Sequence, residues 1–470
     1  MTQYHDKWKK FIIVATGVFM STLDSSMVNI ALPTIMSEFH SPLADTEWVV
    51  LVYLLTITST LLFWGHLADR FGRGRVYGAG MLIFAAGSLT CTISQTLLQL
   101  VLSRFGQALG ASMMMSTGPA IVRESFPHEQ LGRTMGLIGV SVSLGLMSGP
   151  TVGGLLIEFF SWRSIFFITV PIGLVFFFLA FRFLPMSRPA GDGAIDWPGA
   201  VIWGTILCAV TFSLTHLTET SWSLPTLITL LIAAGVLFHV FLHLERKTLH
   251  PLLPLDLFSS RYFSMGIISA VLSFTTLFAA IILPPFYLDR IRGMSPSLTG
   301  LVMMAVPASI MLTSPLAGWL ADHLEKRLIA TAGLLISSAG IFLLSTTTQT
   351  TAITVISLHL AMAGCGQALF LSPNSAAVLG STTTSRAGSA AAILATSRNL
   401  GMLLGIALAT LVFTIIFSSR TPGLDMKDFR PEYVEEFIAA FSGALQVAAT
   451  VGLAGALASW LRGRLTSPPG

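Results

Sequence analysis

The sequence predicts an all-α polytopic membrane protein, and its composition and the length of its apolar stretches carry that prediction. Hydrophobic residues make up 53% of the 470 residues and charged residues only 10%, whereas soluble globular proteins contain about 25% charged residues. The apolar stretches are about 20 residues long, the length that a helix needs to cross a bilayer. They contain Gly and Pro and lack strand alternation, so helices are expected rather than barrel strands. This composition excludes a soluble enzyme and a disordered protein.

Fourteen hydrophobic spans are predicted along the chain. Their approximate limits are 10–33, 46–66, 76–95, 97–119, 135–158, 164–184, 197–217, 224–245, 263–287, 298–321, 328–346, 351–374, 388–416 and 434–461. The first span follows a basic lead of Lys7, Lys9 and Lys10, as a signal peptide would. Its apolar run is longer than that of a typical signal peptide, contains Asp24 and ends without a cleavage pattern, so we keep it as a span.

The distribution of basic residues predicts the orientation of the chain. Of the 26 Lys and Arg residues, eighteen fall in segments on the same side as the N-terminus and six on the opposite side. The remaining two, Arg104 and Arg398, lie in or near spans. Because basic loops are retained in the cytoplasm, we expect an integral plasma-membrane protein with both termini cytoplasmic.

Two short sequence patterns recur in the same order about 250 residues apart. The pattern G-x-L-A-D at 65–69 returns at 318–322, and G-Q-A-L at 106–109 returns at 366–369. Such a repeat predicts two six-span halves with the seventh and eighth spans inserted between them. The predicted units are an N-terminal half at 1–190, two inserted helices at 191–250 and a C-terminal half at 251–470. Parallel repeats of this kind build secondary transporters, whose substrate site lies near the membrane midplane between the halves.

The loop at 65–75 is short, charged and rich in glycine, so it has the composition of a gate latch. A charge network in such a loop can stabilise one conformer and break in the other. The residues assigned to the latch are Gly65, Asp69, Arg70, Gly72 and Arg73, with Asp322 in the second copy. In the first copy, Asp69 could cap the next helix or accept from Arg73, and Gly72 permits a turn with positive φ. The alternative is an ordinary positively charged loop with a turn.

The fifth span holds a cluster of glycines around a proline. Gly145 and Gly149 share one helix face and allow another backbone to approach closely, and Gly153 and Gly154 extend the cluster. Pro150 removes a helix hydrogen bond. The alternative interpretation is ordinary packing of small residues.

Asp24 is the residue that points most directly to chemistry. It lies about two-thirds of the way along the first span, where a carboxylate costs about 2.5–3.5 kcal/mol, so it should face a cavity or a partner. We interpret it as a proton carrier; the alternative is a structural hydrogen bond to a neighbouring helix. Arg104 in the fourth span is its predicted partner, either exchanging partners between conformers or forming a static ion pair.

Five further polar residues are candidates for the lining of a central cavity, namely Asn29, Gln107, His359, Gln367 and Arg398. The position of Arg398 favours a side chain that reaches the cytoplasmic interface. His359 could titrate near neutral pH, although a histidine that packs between helices is the favoured alternative. The three cysteines fall inside apolar stretches at spacings that fit neither a disulfide framework nor a metal site.

Several motifs together resemble those of the major facilitator superfamily, specifically its fourteen-span drug:proton antiporter branch of EmrB/QacA-like multidrug efflux permeases. The resemblance covers nearly the whole chain. It rests on the loop motif at 65–75, the antiporter motif at 145–154 and the start of the seventh span at 196–199. It rests also on the R-x-x-Q-G-x-G pattern at 104–110, with Ala108 in place of Gly, and on L-D-x-T-x-V-N-x-A-L-P at 23–33, with Ser26 in place of Thr. The last motif is W-R-W-I-F-x-I-N-x-P-x-G at 162–173, from which Ser164 and Thr169 depart.

The resemblance implies the major facilitator fold, a bacterial inner-membrane location and an energy source in the proton gradient, with no bound cofactor. It also implies lipophilic small molecules and protons as ligands within the lipid bilayer, a possible periplasmic adaptor and no nucleic-acid partner. Some relatives that export cationic drugs carry additional membrane acids in the second half, and this sequence has none well inside the spans. A neutral, zwitterionic or monovalent lipophilic substrate is therefore favoured over a dication.

The leading functional hypothesis is proton-coupled export of lipophilic compounds, or multidrug efflux, by alternating access. The second is export of a specific endogenous metabolite or lipid on the same fold. The third is a non-transporting membrane sensor or scaffold, in which substitution of Asp24 would have no effect. The sequence contains no G-x-x-x-x-G-K-[ST] loop for an ATP-driven pump, and no catalytic set that would indicate an enzyme.

Overall fold

The chain forms a bundle of long helices. The computed structural model describes residues 2–127, 130–184, 196–216, 223–248, 251, 253–382, 387–421, 424 and 429–463. In these ranges the α-helices are α1 Thr2–Phe39, α2 Leu43–Thr46, α3 Trp48–Phe71, α4 Arg73–Thr92, α5 Leu97–Ser125, α6 Leu131–Phe159, α7 Ser164–Phe167, α8 Thr169–Phe183, α9 Trp197–Thr215, α10 Leu224–Glu245, α11 Arg261–Ile282, α12 Pro284–Arg290, α13 Pro296–Met303, α14 Ala305–His323, α15 Lys326–Ser345, α16 Ile353–Gly380, α17 Ala387–Arg420 and α18 Val434–Leu461. The prediction of an all-α membrane fold is confirmed.

Each of the fourteen predicted spans coincides with a helical segment. Twelve segments of the described chain are long and apolar enough to cross a membrane. The two that fall outside this group are α4 and α5, helices of 20 and 29 residues whose apolar residues are interrupted by arginines and other polar side chains. That α4 and α5 also cross the membrane, which would bring the number of crossings to fourteen, therefore remains a prediction.

Three predicted spans are divided in ways that hydropathy does not show. The sixth span consists of α7 and α8, the ninth of α11 and α12, and the tenth of α13 and α14. The break between α11 and α12 precedes the pair Pro284 and Pro285, which have no backbone N–H to continue the helix ladder. A sliding average of hydropathy cannot see such breaks, since the residues on both sides are equally apolar.

The packing of helices repeats between the two parts of the chain. A Cβ at Gly80 of α4 would lie 2.9 Å from a carbonyl oxygen of α5, and one at Gly87 would lie 2.5 Å from the α5 backbone. At positions 253 residues later, a Cβ at Gly333 of α15 would lie 2.6 Å from a carbonyl oxygen of α16, and one at Gly340 would lie 2.7 Å from its backbone. Both helix pairs thus approach closely at corresponding glycines. The division into two halves stays a prediction, and residues 190, 191 and 250 at its boundaries lie outside the described residues.

The turn between α3 and α4 depends on one glycine. Gly72 has φ of 99° and ψ of 124°, a conformation that L-residues with a side chain rarely adopt. Replacing Gly72 with alanine is expected to lower the free energy of unfolding by about 1–3 kcal/mol, because the strained backbone conformation must then carry a Cβ. Thermal unfolding in detergent measures this loss of stability. Gly235→Ala on α10 is the matched control, since a Cβ there meets no atom within 4 Å; equal effects of the two substitutions would contradict the argument.

Candidate buried carboxylate site and the seam between the halves

Asp24 is fully buried inside the first half of the chain, where both of its oxygens accept hydrogen bonds. Arg104 donates from Nη1 to Oδ2 at 2.5 Å, and Gln107 donates from Nε2 to Oδ1 at 2.8 Å. Arg104 and Gln107 are three residues apart on α5 and so share one helix face. All three side chains are 0% exposed. The structure thus brings together Asp24, Arg104 and Gln107, and Gln107 is a partner of the carboxylate rather than a cavity residue.

Arg104 is held by three further contacts. Its Nε donates to the carbonyl oxygen of Val49 at 2.9 Å, and Nη1 also donates to Oε1 of Gln107 at 2.6 Å. The ring of Tyr53 lies 4.1 Å from the guanidinium carbon, close enough for a cation–π interaction. Nη2 is buried and lacks a hydrogen-bond partner in the described chain. A fully buried charge with one unused donor can exchange partners when the helices move.

A chain of hydroxyl groups extends the site to two more helices. Gln107 donates from Nε2 to Oγ of Ser88 on α4 at 2.8 Å, and Oγ1 of Thr169 on α8 lies 3.0 Å from the same oxygen. The network therefore links α1, α5, α4 and α8. Sequence reasoning missed Tyr53, Ser88 and Thr169, because isolated hydroxyls in apolar helices have no spacing pattern to mark them.

The second half holds a neutral counterpart of this site. Gln367, in the repeated G-Q-A-L pattern of α16, accepts at Oε1 from Oγ of Ser273 on α11 at 2.7 Å. Ser273 follows Asp24 by 249 residues, close to the offset of the repeat. Gln367 is 1% exposed, so it does not line a cavity as predicted but packs inside the second half. At this pair of related positions, only the first half carries an ionisable group.

The glycine-rich face of α6 packs against the helix that carries Asp24. A Cβ at Gly145 would lie 2.9 Å from the carbonyl oxygen of Phe19, and one at Gly153 would lie 3.1 Å from Met27. Gly149 lies between them and faces Leu23 and Ser26, the neighbours of Asp24 along α1. Oγ of Ser26 also donates to an α6 carbonyl at 3.1 Å. Movement of α6 would therefore be transmitted directly to the backbone around Asp24.

A neighbouring face of α6 meets the second half near the end of the bundle away from the N-terminus, here called the far side. Gly154 packs against the backbone of Pro296, and Gly300 packs so closely on Pro150 that a Cβ would overlap its carbonyl oxygen. Oε2 of Glu158 accepts from the backbone N–H of Ser297 at 3.1 Å. These contacts between α6 and α13 are called the far-side seam. Pro150 and Gly154, predicted as part of one motif helix, are thus interface residues between the halves.

A second contact reinforces the far side. Arg290, at the end of α12, donates from Nη2 to Oγ of Ser37 on α1 at 2.5 Å. Both α1 and α6 of the first half therefore touch the second half at this end of the bundle. This arrangement closes the far side.

The predicted gate latch is only partly described. The side chains of Asp69 and Asp322 lie outside the described residues. Nη1 of Arg73 pairs with Oε1 of Glu124 at the end of α5, at 2.5 Å, a partner that the sequence analysis did not name. That contact lies within the first half rather than across the halves. Arg70 is exposed and stacks on the neighbouring Phe71 ring at 5.9 Å, and a Cβ at Gly65 would meet open space.

The remaining predicted cavity residues lie apart from Asp24. Asn29 of α1 is 7% exposed, and its Oδ1 lacks a hydrogen-bond partner among the described residues. His359 lies six residues into α16, partly exposed, with Nδ1 buried and unpartnered in that part of the chain. Arg398 of α17 donates from Nη2 to Oγ of Ser375 on α16 at 2.6 Å. Its guanidinium is held between α16 and α17, and its predicted reach to the cytoplasmic interface stays a prediction.

Arg462 is a second buried arginine, which the sequence analysis counted as a loop residue. It follows α18, is 2% exposed and donates from Nη2 to Oδ1 of Asn374 and to Oγ of Ser269, the latter at 3.3 Å. Burial lowers the pKa of its guanidinium. Its contacts bind α18 to α11 and α16, which makes it a packing residue of the second half.

The comparison with known families decides the identity of the fold. A sequence model of the Major Facilitator Superfamily matches residues 14–406 and 263–469. This chain belongs to the major facilitator superfamily. Two solved structures share the fold: a bacterial homologue of the human lysosomal transporter Spinster, at TM-score 0.69 and 14% identity over 97% of both chains, and a peptide transporter POT, at TM-score 0.68 and 15% identity over 95% of this chain and 94% of that one.

Curated relatives of this major facilitator protein cover most of its length. The riboflavin transporter RibZ of Clostridioides difficile is 36% identical over 85% of this chain and 87% of that protein. The uncharacterized transporter YebQ of Escherichia coli is 34% identical over 86% of this chain and 89% of its own. The multidrug resistance protein Stp of Mycobacterium tuberculosis is 30% identical over 84% of this chain and 74% of its own. The chain is thus a membrane transporter by family. Among the described residues, no group of three His, Cys, Asp or Glu is placed to hold a metal.

Proposed function

We propose that this protein is a proton-coupled secondary transporter that exports lipophilic small molecules by alternating access. The observation that carries the proposal is the Asp24 carboxylate, buried on the helix that packs against the motif helix α6. A buried carboxylate whose partners sit on another helix can take up and release a proton as those helices move. The far-side seam gives α6 contacts to the second half, so a rocking motion there acts on the surroundings of Asp24.

The proposed transport cycle uses these contacts. With the far side closed, Asp24 is ionised against Arg104 and the compound enters the space between the halves. Opening of the far-side seam moves α6, weakens the ion pair and lets Asp24 bind a proton while the compound leaves. Return to the closed state restores the ion pair and expels the proton on the N-terminal side. The proton gradient supplies the energy, and no other cofactor is required.

Names of several relatives support export of drugs in particular. Besides Stp, they include a methylenomycin A resistance protein of Streptomyces coelicolor, 28% identical over 85% of this chain, and a tetracenomycin C resistance and export protein of Streptomyces glaucescens, 27% identical over 88%. The same proposal includes membership of the fourteen-span drug:proton antiporter branch. It also places the protein in a bacterial inner membrane with cytoplasmic termini and includes docking of a periplasmic adaptor.

Substitution of Asp24 tests the coupling. Protein reconstituted in liposomes is given a pH gradient, and proton flux is followed while lipophilic compounds are added. We expect compound-dependent proton flux in the parent and its loss in Asp24→Asn, because an amide cannot carry a proton. Glu435→Gln, at an exposed acid of α18, is the matched control and should retain the flux.

The double variant Asp24→Asn/Arg104→Gln separates coupling from folding, because it removes both charges. It should remain folded and also lack proton flux. Compound-dependent proton flux in Asp24→Asn would place the proton site elsewhere. Absence of flux for every compound in the parent protein would leave drug antiport without support.

The second candidate function is export of a specific endogenous metabolite. The 36% identity to a protein named as a riboflavin transporter favours it. Riboflavin is the first compound to add to the flux assay. Its release from preloaded liposomes is measured as well. Transport of riboflavin with no response to the other lipophilic compounds would select this function.

A further inference from the structure

Arg398 lies on the face of α17 that borders the space between the halves. Gly401 and Gly405 mark the face of α17 that packs on α11, where Cβ atoms would meet the α11 backbone. Ala395 marks the face that packs against apolar residues of the first half. On a helical wheel of 100° per residue, Arg398 falls between these two faces. Its side chain therefore starts at the border between α11 and the first half.

Ser375, the hydrogen-bond partner of Arg398, lies on a corresponding face of α16. Gln367 and Asn374 mark the side of α16 that contacts α11, whereas Cys365 and Ser372 mark the side that contacts α14. Ser375 falls between these two sides and is partly exposed. The guanidinium of Arg398 consequently passes in front of α11 to reach α16, on the side of the second half that faces the first.

No carboxylate pairs with Arg398 among the residues that the structure describes. Its one hydrogen bond in the described chain is to the neutral hydroxyl of Ser375 at 2.6 Å, and Nε is buried without a partner there. The acid of the first half, Asp24, is already paired with Arg104. A positive charge inside a membrane bundle is costly, and an anionic ligand would offset that cost.

Arg462 lies in different surroundings from Arg398. Arg462 also lacks an ion pair with a described carboxylate, but it is 2% exposed and enclosed by Asn374, Ser269 and α18. Arg398 is partly exposed on the inner face. By accessible surface, Arg398 is the more exposed of the two arginines.

We propose that Arg398 and Ser375 form an anion-recognition site between the halves, and that the transported compounds include lipophilic molecules with a carboxylate, sulfonate or phosphate group. The inference names the substrate class and so rests on the proposed transport function. Arginine suits the task because its planar guanidinium presents several donors and stays charged at any working pH. Here the guanidinium would present its terminal donors to an anion, while the Ser375 hydroxyl orients the group.

Three dansyl probes with the same aromatic body test the charge preference. Dansylglycine is anionic, dansylamide is neutral and dansylcadaverine is cationic. Binding to purified protein in nanodiscs of zwitterionic lipid is followed by energy transfer from tryptophan. We expect dansylglycine to bind about tenfold tighter than dansylamide, which corresponds to about 1.4 kcal/mol, and dansylcadaverine to bind most weakly.

Variants of Arg398 assign the preference to its charge. Arg398→Gln should equalise the affinities for dansylglycine and dansylamide, whereas Arg398→Lys should retain part of the difference because it keeps the charge. Arg420→Gln, at an exposed arginine at the other end of α17, is the matched control and should leave the ratio unchanged. Size-exclusion profiles and unfolding temperatures verify that each variant is folded.

A second set of nanodiscs distinguishes a soluble anion from a lipid headgroup. If phosphatidylglycerol lowers dansylglycine affinity in the parent but not in Arg398→Gln, an anionic headgroup occupies the same site. If it has no effect, the site serves soluble anions. Both results support an anion site at Arg398.

Equal affinity of the parent for the anionic and neutral probes would overturn the inference, as would an unchanged preference in folded Arg398→Gln. Anion binding without proton flux in liposomes would leave the site standing and overturn the transport proposal instead. Proton flux driven equally by all three probes would keep the transport proposal and overturn the substrate class. The two proposals therefore fail in different ways.

Discussion

Replacing Asp24 with leucine is expected to lower the free energy of unfolding by about 3–5 kcal/mol, the typical cost of removing one partner from a buried ion pair. Arg104 would then be left at 0% exposure, with the Val49 carbonyl, the Gln107 amide oxygen and the rings of Tyr53 and Phe166 as its neighbours. Arginine, unlike a carboxylate, has no neutral form to fall back on in proteins, so the cost remains. Unfolding in detergent, by temperature or denaturant, measures the loss.

The reverse substitution should cost less. In Arg104→Met the orphaned Asp24 can bind a proton and become neutral, which removes most of the penalty of a buried charge. Stability of Arg104→Met should therefore rise as the pH is lowered, whereas Asp24→Leu should show no such recovery. This asymmetry is a direct signature of a carboxylate that can be protonated in its buried position.

The double variant Asp24→Leu/Arg104→Met completes the cycle. Because it removes both charges and leaves apolar groups of similar size, it should recover most of the stability lost by Asp24→Leu. Arg420→Gln controls for the loss of an exposed charge, which is usually worth less than about 0.5 kcal/mol. Additive losses in the double variant would mean that the two residues do not interact energetically.

Gly300→Ala is expected to bias the protein toward the state in which the far side is open. The added methyl group would overlap the carbonyl oxygen of Pro150 across the far-side seam, and overpacking of this kind costs about 1–3 kcal/mol. If the cost falls on the closed state alone, the equilibrium shifts by about 5- to 150-fold. Transport should slow, while the purified protein remains folded, because the strained contact is absent from the open state.

A cysteine at Thr34 reports the opening directly. Thr34 lines a narrow crevice on the far side together with Ile30 and Asp289. In a background without Cys91, Cys208 and Cys365, a bulky maleimide should label Thr34→Cys faster when Gly300→Ala is added. Gly235→Ala, where a Cβ meets no atom within 4 Å, should change neither labelling nor transport. Slower labelling, or labelling unchanged by Gly300→Ala, would show that the seam does not control the far-side entrance.

Sequence reasoning was most successful where a physical requirement acts on a continuous stretch of chain. A membrane helix needs about 20 apolar residues, and this demand made the helical positions and the fold class readable. The resemblance in motifs led to the major facilitator superfamily, which the family comparison confirms over residues 14–406 and 263–469. The pairing of Asp24 with Arg104 was also anticipated, since a charge inside an apolar span requires an opposite charge on a neighbouring helix.

Contacts between distant residues were decided by the tertiary structure. Gln107 and Gln367 were both predicted as cavity residues, yet one binds Asp24 and the other binds Ser273 inside its own half. The faces of helices set this difference, because a polar residue in an apolar helix turns toward whatever donor or acceptor the neighbouring helix presents. Glu124, the partner of Arg73, is 51 residues away in the chain and no local pattern connects the two.

Composition and periodicity act along the chain, so the sequence alone revealed the class of molecule, the position of its helices and Asp24 within an apolar span. Other features required the packed molecule: α6 joins the helix of Asp24 to the far-side seam, and Arg398 reaches Ser375 with no carboxylate against it among the described residues. Those facts depend on which faces of separate helices meet. Close packing of glycines against the backbone of other helices sets which faces meet. This packing acts between segments that lie far apart in the sequence.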